Sequence, residues 1–291
     1  MVETLTRTGL ATDLAGIRMR TPLLPVSGIF GIDYAALLPG LPGVGAVVTK
    51  TITREARQGN KEPRVIETRT GLLNAIGLHN PGIEAFIERE LPKYRTLDVP
   101  VIASIAGKTE DDFVECATRL CGLEGVQGIE MNVSCPNVEK GVQFGSDGCM
   151  LESLVGKVRK VVSGIPLIVK LTPNVTDITV PAMAAINAGA DVLAMINTVH
   201  GMAIDLNTQQ PKLGNTAGGM SGNAVHPLAV YMVYKCYTTC CRKHNIPIIG
   251  IGGVSTAEDA LELLLAGATC VGIGTAMFRD PRVCERVARG I

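Results

Sequence analysis

A (β/α)8 barrel is the fold class this sequence predicts, and three observations lead to it. Eight short apolar runs rich in Val and Ile recur along the 291 residues. Helical stretches separate them, and strand alternating with helix means parallel pairing. The runs are nearly continuous in apolar residues, the pattern of strands covered on both faces. Eight such units close into a barrel. A doubly wound sheet is the second choice, disfavoured because no dinucleotide fingerprint is present. Length alone allows two domains, but barrels of about 250 residues fold as one. With no Pro/Ser-rich linker and no charge run to divide the chain, residues 1–291 are expected to form one domain.

The strands are expected at 23–27, 46–51, 100–105, 128–133, 167–171, 192–198, 248–252 and 270–274. Helices are expected near 33–38, 80–91, 110–121, 150–163, 177–188, 224–243, 256–266 and 281–289. The apolar region 178–199 is not a membrane span, because Pro181, Asn187, Gly189, Asp191 and Asn197 interrupt it and divide it into a helix and a strand. Residues beyond a minimal barrel concentrate at 54–79, 134–148 and 199–222. Each segment directly follows a strand and so lies on the face where barrels keep their chemistry. Segment 134–148, rich in turn formers and glycine around a cysteine, is expected to be a mobile lid.

Composition removes several function classes. Lys and Arg number 27 against 27 Asp and Glu, and the aromatics are five Phe, five Tyr and no Trp. That balance supplies neither a basic field for phosphate backbones nor stacking platforms for bases, so nucleic acid is not an expected partner. With 46% apolar and 19% charged residues, the chain has ample material for a core. Nine cysteines form no C-x-x-C pair, and MVETLTRTGLATD lacks a signal-peptide core. A cytoplasmic protein with free thiols and no cluster or metal site of its own is the expectation. Cys236, Cys240 and Cys241 read as buried helix residues.

The chemistry-bearing residues gather at predicted strand ends. Lys50 closes the second strand and Lys170 nearly closes the fifth. An ammonium in an apolar strand needs an anion, either a structural carboxylate or a bound ligand. The last two strands run into IIGIGGVS (248–255) and VGIGTAM (271–277), where barrels commonly bind phosphate; alternatively these glycines only relieve crowding. Neither fits G-x-G-x-x-G, so a Rossmann-type NAD site is not expected. Asn74, Asn132, Asn137, Asn197 and Thr198 fall on the same face, a set suited to a small planar ligand with donors and acceptors. Cys135 sits among them in a polar loop. No histidine is spaced to activate it as a hydrolytic nucleophile, so an acid/base role is the better reading.

These residues belong to a recognisable set of motifs. SGIFG (27–31), TKTIT (49–53), NAIGLHNPG (74–82), NVSCPNVEKGVQFG (132–145), VKLTPNVTDI (169–178), INTVHGMAID (196–205), GGMSG (218–222), PIIGIGGV (247–254) and GIGTAMF (272–278) together resemble the dihydroorotate dehydrogenases. The lid sequence and VKLTPNVTDI resemble class 1B. The resemblance implies FMN above the barrel and oxidation of dihydroorotate to orotate in pyrimidine (UMP) biosynthesis. FMN contacts would be Ser27, Lys50, Thr51, Asn132, Lys170, Ile196, Gly222, Gly252, Gly253, Gly274 and Thr275. Substrate contacts would be Lys50, Asn74, Ala75, Ile76, Gly77, Leu78, Asn132, Asn137, Asn197 and Thr198, with Cys135 as the base. It further implies a separate subunit carrying FAD and a [2Fe–2S] cluster that passes electrons to NAD, two copies of each in a heterotetramer around a homodimeric core. One position departs: VIASIAG has Ser104 where the family usually has a flavin-contacting Asn.

Other readings stay open on sequence alone. Lys170 could be the nucleophile of a Schiff-base lyase or aldolase. A class 1A enzyme using fumarate, a dihydropyrimidine or tRNA dihydrouridine reductase, and a non-catalytic scaffold are the remaining alternatives.

Overall fold

The computed structural model describes residues 9–32, 40–134 and 144–291; the helix expected at 33–38 lies outside them. The predicted barrel is present. Its strands are β1 (Leu23–Pro25), β2 (Val47–Val48), β3 (Val101–Ile105), β4 (Gly128–Asn132), β5 (Leu167–Lys170), β6 (Val192–Met195), β7 (Ile248–Ile251) and β8 (Cys270–Ile273). All neighbours pair in parallel in the order β2-β3-β4-β5-β6-β7-β8-β1. Gly45 N–H donates to the Leu23 carbonyl at 2.8 Å, drawing the β1 and β2 edges together.

The barrel has two apolar layers. Val48, Ile102, Ile168, Val192, Ala194, Ile249 and Cys270 fill its interior, joined from below by Leu14, Ile17 and Met19. Those three belong to an antiparallel hairpin, Thr12–Leu14 with Ile17–Met19, that plugs the N-terminal end. Outside the strands, a larger cluster packs them against the helices. Helices Glu110–Leu120 and Ala257–Leu265 both start at a threonine, Thr109 and Thr256, whose side chain accepts from the backbone N–H of an aspartate three residues on. The aspartate carboxylate reaches back to the threonine N–H, the reciprocal arrangement that T-x-x-D encodes.

The structure departs from the sequence expectation in several places, among them the helix expected at 80–91, which is α-helical at Ile83–Ala85, π-helical at Phe86–Glu90 and α-helical again at Leu91–Tyr94. The strand expected at 46–51 is a ladder only at Val47–Val48, and that expected at 192–198 stops at Met195. Lys50 therefore stands beyond its strand, and so do Ile196 and Thr198. The long segments after β2 and β6 are not irregular: Val65–Thr68, Gly71–Asn74, Gly218–Ser221 and Val199–Gly201 pair into a four-stranded antiparallel sheet. The helix expected as one piece over 224–243 is a 3-10 turn Asn223–Val225, an α-helix His226–Cys236, a π-helical turn Tyr237–Cys241 and a last α-helical turn Arg242–His244. Among the described residues no helix is long and apolar enough to cross a membrane.

Candidate functional site

At the C-terminal ends of the strands, between the barrel and the four-stranded sheet, lies a cavity of about 630 Å³, inside the ~300–1,000 Å³ range of small-ligand sites. Every predicted site residue within the described segments lines it. Ser27, Lys50, Thr51, Asn132, Lys170, Ile196, Asn197 and Thr198 come from the ends of β1, β2, β4, β5 and β6. Gly252, Gly253, Gly274 and Thr275 follow β7 and β8, while Asn74, Ala75, Ile76, Gly77, Leu78 and Gly222 come from the sheet and the loop after it. Cys135 and Asn137 lie outside the described residues.

Lys170 sets the electrostatics. It is only 5% exposed, and its register partners are Asn132 on β4 and Ala194 on β6. Among the described residues it makes no ion pair. A buried ammonium without a carboxylate is costly, so its position on the cavity wall calls for an anion or strong acceptor there. Lys50 follows β2, three strands away from β5 in the sheet order. Its Nζ lies 3.4 Å from where a Cβ on Gly28 would be, so Gly28 leaves the room in which the ammonium sits.

The amides form a connected network with a clear division of labour. Asn197 Nδ2 donates to Asn132 Oδ1 at 3.1 Å and to Ser134 Oγ at 2.8 Å. Its own oxygen accepts from Thr198 N–H at 2.9 Å. Asn197 is thus committed on both ends and fixes the orientation of Asn132, whose carbonyl end is occupied and whose donor end is left for the cavity. Asn74 Nδ2 donates to the Gly219 carbonyl at 3.2 Å, tying the sheet's inner strands together at the cavity.

The glycines serve access and packing together. Gly253 has φ +71°, and a Cβ there would lie 2.6 Å from the Cβ of His226. Gly252 has φ +143°, and its Cβ would lie 2.6 Å from that of Ala229. Only glycine can hold this backbone against the helix His226–Cys236 while still lining the cavity. His226, 7% exposed, faces the Gly252 carbonyl with Nδ1 at 2.8 Å and Glu262 with Nε2 at 3.0 Å, which anchors the loop from behind.

Several wall residues went unassigned in the sequence reading. Ser134 and Asn174 stand inside quoted motifs, and their bonds to Asn197 and to the Thr198 carbonyl show what they hold in place. Ser221, which accepts from Thr275 Oγ1 at 2.8 Å, comes from the antiparallel sheet and stands inside the quoted motif GGMSG, though no role was assigned to it. Ser104, the departure from the family pattern, does not line the cavity; it is fully buried and hydrogen bonded to Thr51 and Glu130. Three buried cysteines outside the site are made unreactive by their environment: burial pushes the thiols of Cys116, Cys270 and Cys284 up to about 12. Among the described residues no three His, Cys, Asp or Glu side chains are grouped to hold a metal.

The family model described as dihydroorotate dehydrogenase matches residues 9–291. A protein of Shouchella clausii (strain KSM-K16) is 47% identical over 285 residues, covering 97% of this chain and 92% of the relative. One from Geobacter sp. (strain M21) is 46% identical over 286 residues, with the same coverage. One from Geobacillus kaustophilus (strain HTA426) is 47% identical over 281 residues, covering 96% and 88%. All three are named dihydroorotate dehydrogenase B (NAD(+)), catalytic subunit.

Proposed function

Because the chain belongs to the dihydroorotate dehydrogenase family, we propose that it oxidises dihydroorotate to orotate in pyrimidine biosynthesis, with FMN seated over the barrel. The observation that carries this reading is the buried Lys170, without an ion pair among the described residues, beside an oriented Asn132 on one cavity wall. The residues fit FMN chemically. The glycine backbones after β7 and β8 offer the close approach that a phosphate needs. Ser27, Thr51 and Thr275 bring hydroxyls, and Lys170 brings the positive charge that an electron-rich ring requires. Gly222, Gly274 and Ile196 complete the cofactor side of the wall.

FMN, when bound, supplies the acceptor for the hydride leaving C6 of the substrate. The chain does the rest. Lys50 meets the substrate carboxylate, and Asn74 through Leu78, Asn132, Asn137, Asn197 and Thr198 read its ring amides. Cys135, placed by its motif, takes the proton from C5. Lys170 holds a fixed charge in a water-poor wall, which costs no reorganisation when negative charge develops nearby.

The relatives are named as catalytic subunits of NAD(+)-linked enzymes, and this sequence has neither G-x-G-x-x-G nor a C-x-x-C pair. A partner subunit bearing FAD and a [2Fe–2S] cluster therefore carries electrons to NAD in this reading, two of each subunit around a homodimeric core. The test is the visible spectrum of the purified chain. A flavin spectrum that bleaches on adding dihydroorotate supports the reading, and a colourless protein that is trapped by borohydride with a carbonyl substrate refutes it. The chain alone should reduce dyes but not NAD; brisk NAD reduction would remove the need for the partner.

A further inference from the structure

Beneath the cavity wall runs a line of hydroxyls that ends on a buried acid. Ser27 Oγ lies 2.8 Å from Thr51 Oγ1, Thr51 Oγ1 lies 3.1 Å from Ser104 Oγ, and Ser104 Oγ donates to Glu130 Oε1 at 2.9 Å. Ser104 and Glu130 are register partners on β3 and β4, both turned into the barrel. They are 0% and 1% exposed, and Thr51 is 3% exposed. Ser27 and Thr51 line the cavity; Ser104 and Glu130 do not.

The direction of these bonds follows from the inventory of protons. A carboxylate only accepts, whereas each hydroxyl has one proton to give. Ser104 spends its proton on Glu130, so the bond between Thr51 and Ser104 takes Thr51's proton. The bond between Ser27 and Thr51 then takes Ser27's. Thr49 cannot intervene, because its hydroxyl is already used: it accepts from Ser104 N–H at 3.1 Å and donates to the Lys50 carbonyl at 3.1 Å. Ser27 is left with lone pairs alone to offer the cavity. We infer that Glu130, acting through Ser104 and Thr51, holds the Ser27 hydroxyl as a hydrogen-bond acceptor toward the cavity, which makes it a positioning residue for the flavin.

The inference rests on FMN being the ligand of this cavity. Glu130 thereby selects for a ligand N–H or O–H at Ser27, and FMN carries both kinds of donor in its ring and ribityl chain. A barrel interior is an expensive place for an acid, and fixing the sense of a hydroxyl chain gives this one a task that a leucine could not perform.

A double-mutant cycle on the full chain, stripped of flavin and titrated with FMN by fluorescence, tests it. Glu130→Leu should weaken FMN binding about fivefold where residue 27 is Ser, the effect of one neutral hydrogen bond. In the Ser27→Ala background the same change should cost less than about twofold. Glu130→Gln, which keeps an acceptor oxygen, should restore most of the affinity. Equal losses in both backgrounds would mean that Glu130 acts by packing and would overturn the inference, as would an unaltered affinity for Glu130→Leu. Should that variant not fold, the cycle of Ser104→Ala with Ser27→Ala asks the same question, since the two hydroxyls are joined through Thr51. A wild-type chain that binds no FMN overturns the proposed function itself, a result distinct from additive losses.

Discussion

At the N-terminal end of the barrel, Leu14, Ile17 and Met19 close the interior over Val48, Ile102 and Ile168 as one apolar cluster. At the C-terminal end the same strands deliver Lys50, Asn132, Lys170 and Asn197 to an open cavity. One set of strands thus does two jobs, divided by depth. Residues low in the barrel are chosen for volume, those at its rim for charge and hydrogen bonding, and Ser104 and Glu130 stand at the boundary between them. The two ends should therefore fail differently when altered: the rim should lose chemistry without stability, and the plug stability without chemistry.

The largest expected effect belongs to the proposed base. Cys135→Ala should slow flavin reduction by dihydroorotate at least ~10²-fold, the lower end of what a general base contributes, while the protein stays yellow and its melting temperature holds. An ordinary thiol has a pKa near 8.5, so wild-type turnover should rise from neutral to alkaline pH as the thiolate fills. Stopped-flow reduction rates equal to wild type in the variant would remove Cys135 from the mechanism.

The plug gives the converse. Ile17→Ala should destabilise the chain by ~2–5 kcal/mol, the range for deleting a well-packed aliphatic side chain. Ile17 is 3% exposed and packs near Gly128 at the barrel floor. Denaturant unfolding should show the loss, and FMN affinity measured well below the transition should not change. A parallel loss of FMN affinity would show that the two ends are mechanically coupled.

How much of this division was legible in the chain depends on the range of the interactions. The barrel strands were readable because each is a local apolar run, and Lys50, Lys170 and the glycine loops were readable because they interrupt or end such runs. The antiparallel sheet was not. Gly71–Asn74 pairs with Gly218–Ser221 across nearly half the chain, and neither segment alternates apolar and polar residues strongly enough to announce a strand. The same holds for the hydroxyl relay. Ser104 drew notice only as a missing asparagine, because its partners Thr51 and Glu130 are brought to it by barrel closure and not by sequence spacing.

A smaller effect joins the two regions. Gly253→Ala would place a Cβ on a residue at φ +71° and 2.6 Å from that of His226. The left-handed conformation alone costs ~1–2 kcal/mol. Both stability and FMN affinity should fall, because the loop cannot keep its shape and its helix contact at once. A variant that loses stability but binds FMN normally would mean that the glycine serves packing only.

The smallest expected effect tests whether surface charge matters to either end. Asp177 precedes the helix Thr179–Asn187, and its carboxyl is held down to about 2 from 3.8, first by the Thr179 backbone N–H and then by Lys235 and the Thr179 hydroxyl. The bonds measure 2.9 Å, 2.9 Å and 2.8 Å. A carboxyl whose folded pKa is depressed contributes stability that is complete above the unfolded value and is lost as pH falls through the folded one. Asp177→Asn keeps the oxygen that Thr179 needs and removes only the charge, so the wild type should melt slightly higher at pH 7. That gap should persist down to about pH 4 and close toward pH 2, the interval between the two values. Because the side chain is exposed and the pair with Lys235 is screened, salt should shrink the gap too. A difference that stays constant across the acid range would assign the effect to the helix start's hydrogen bonds and not to its charge.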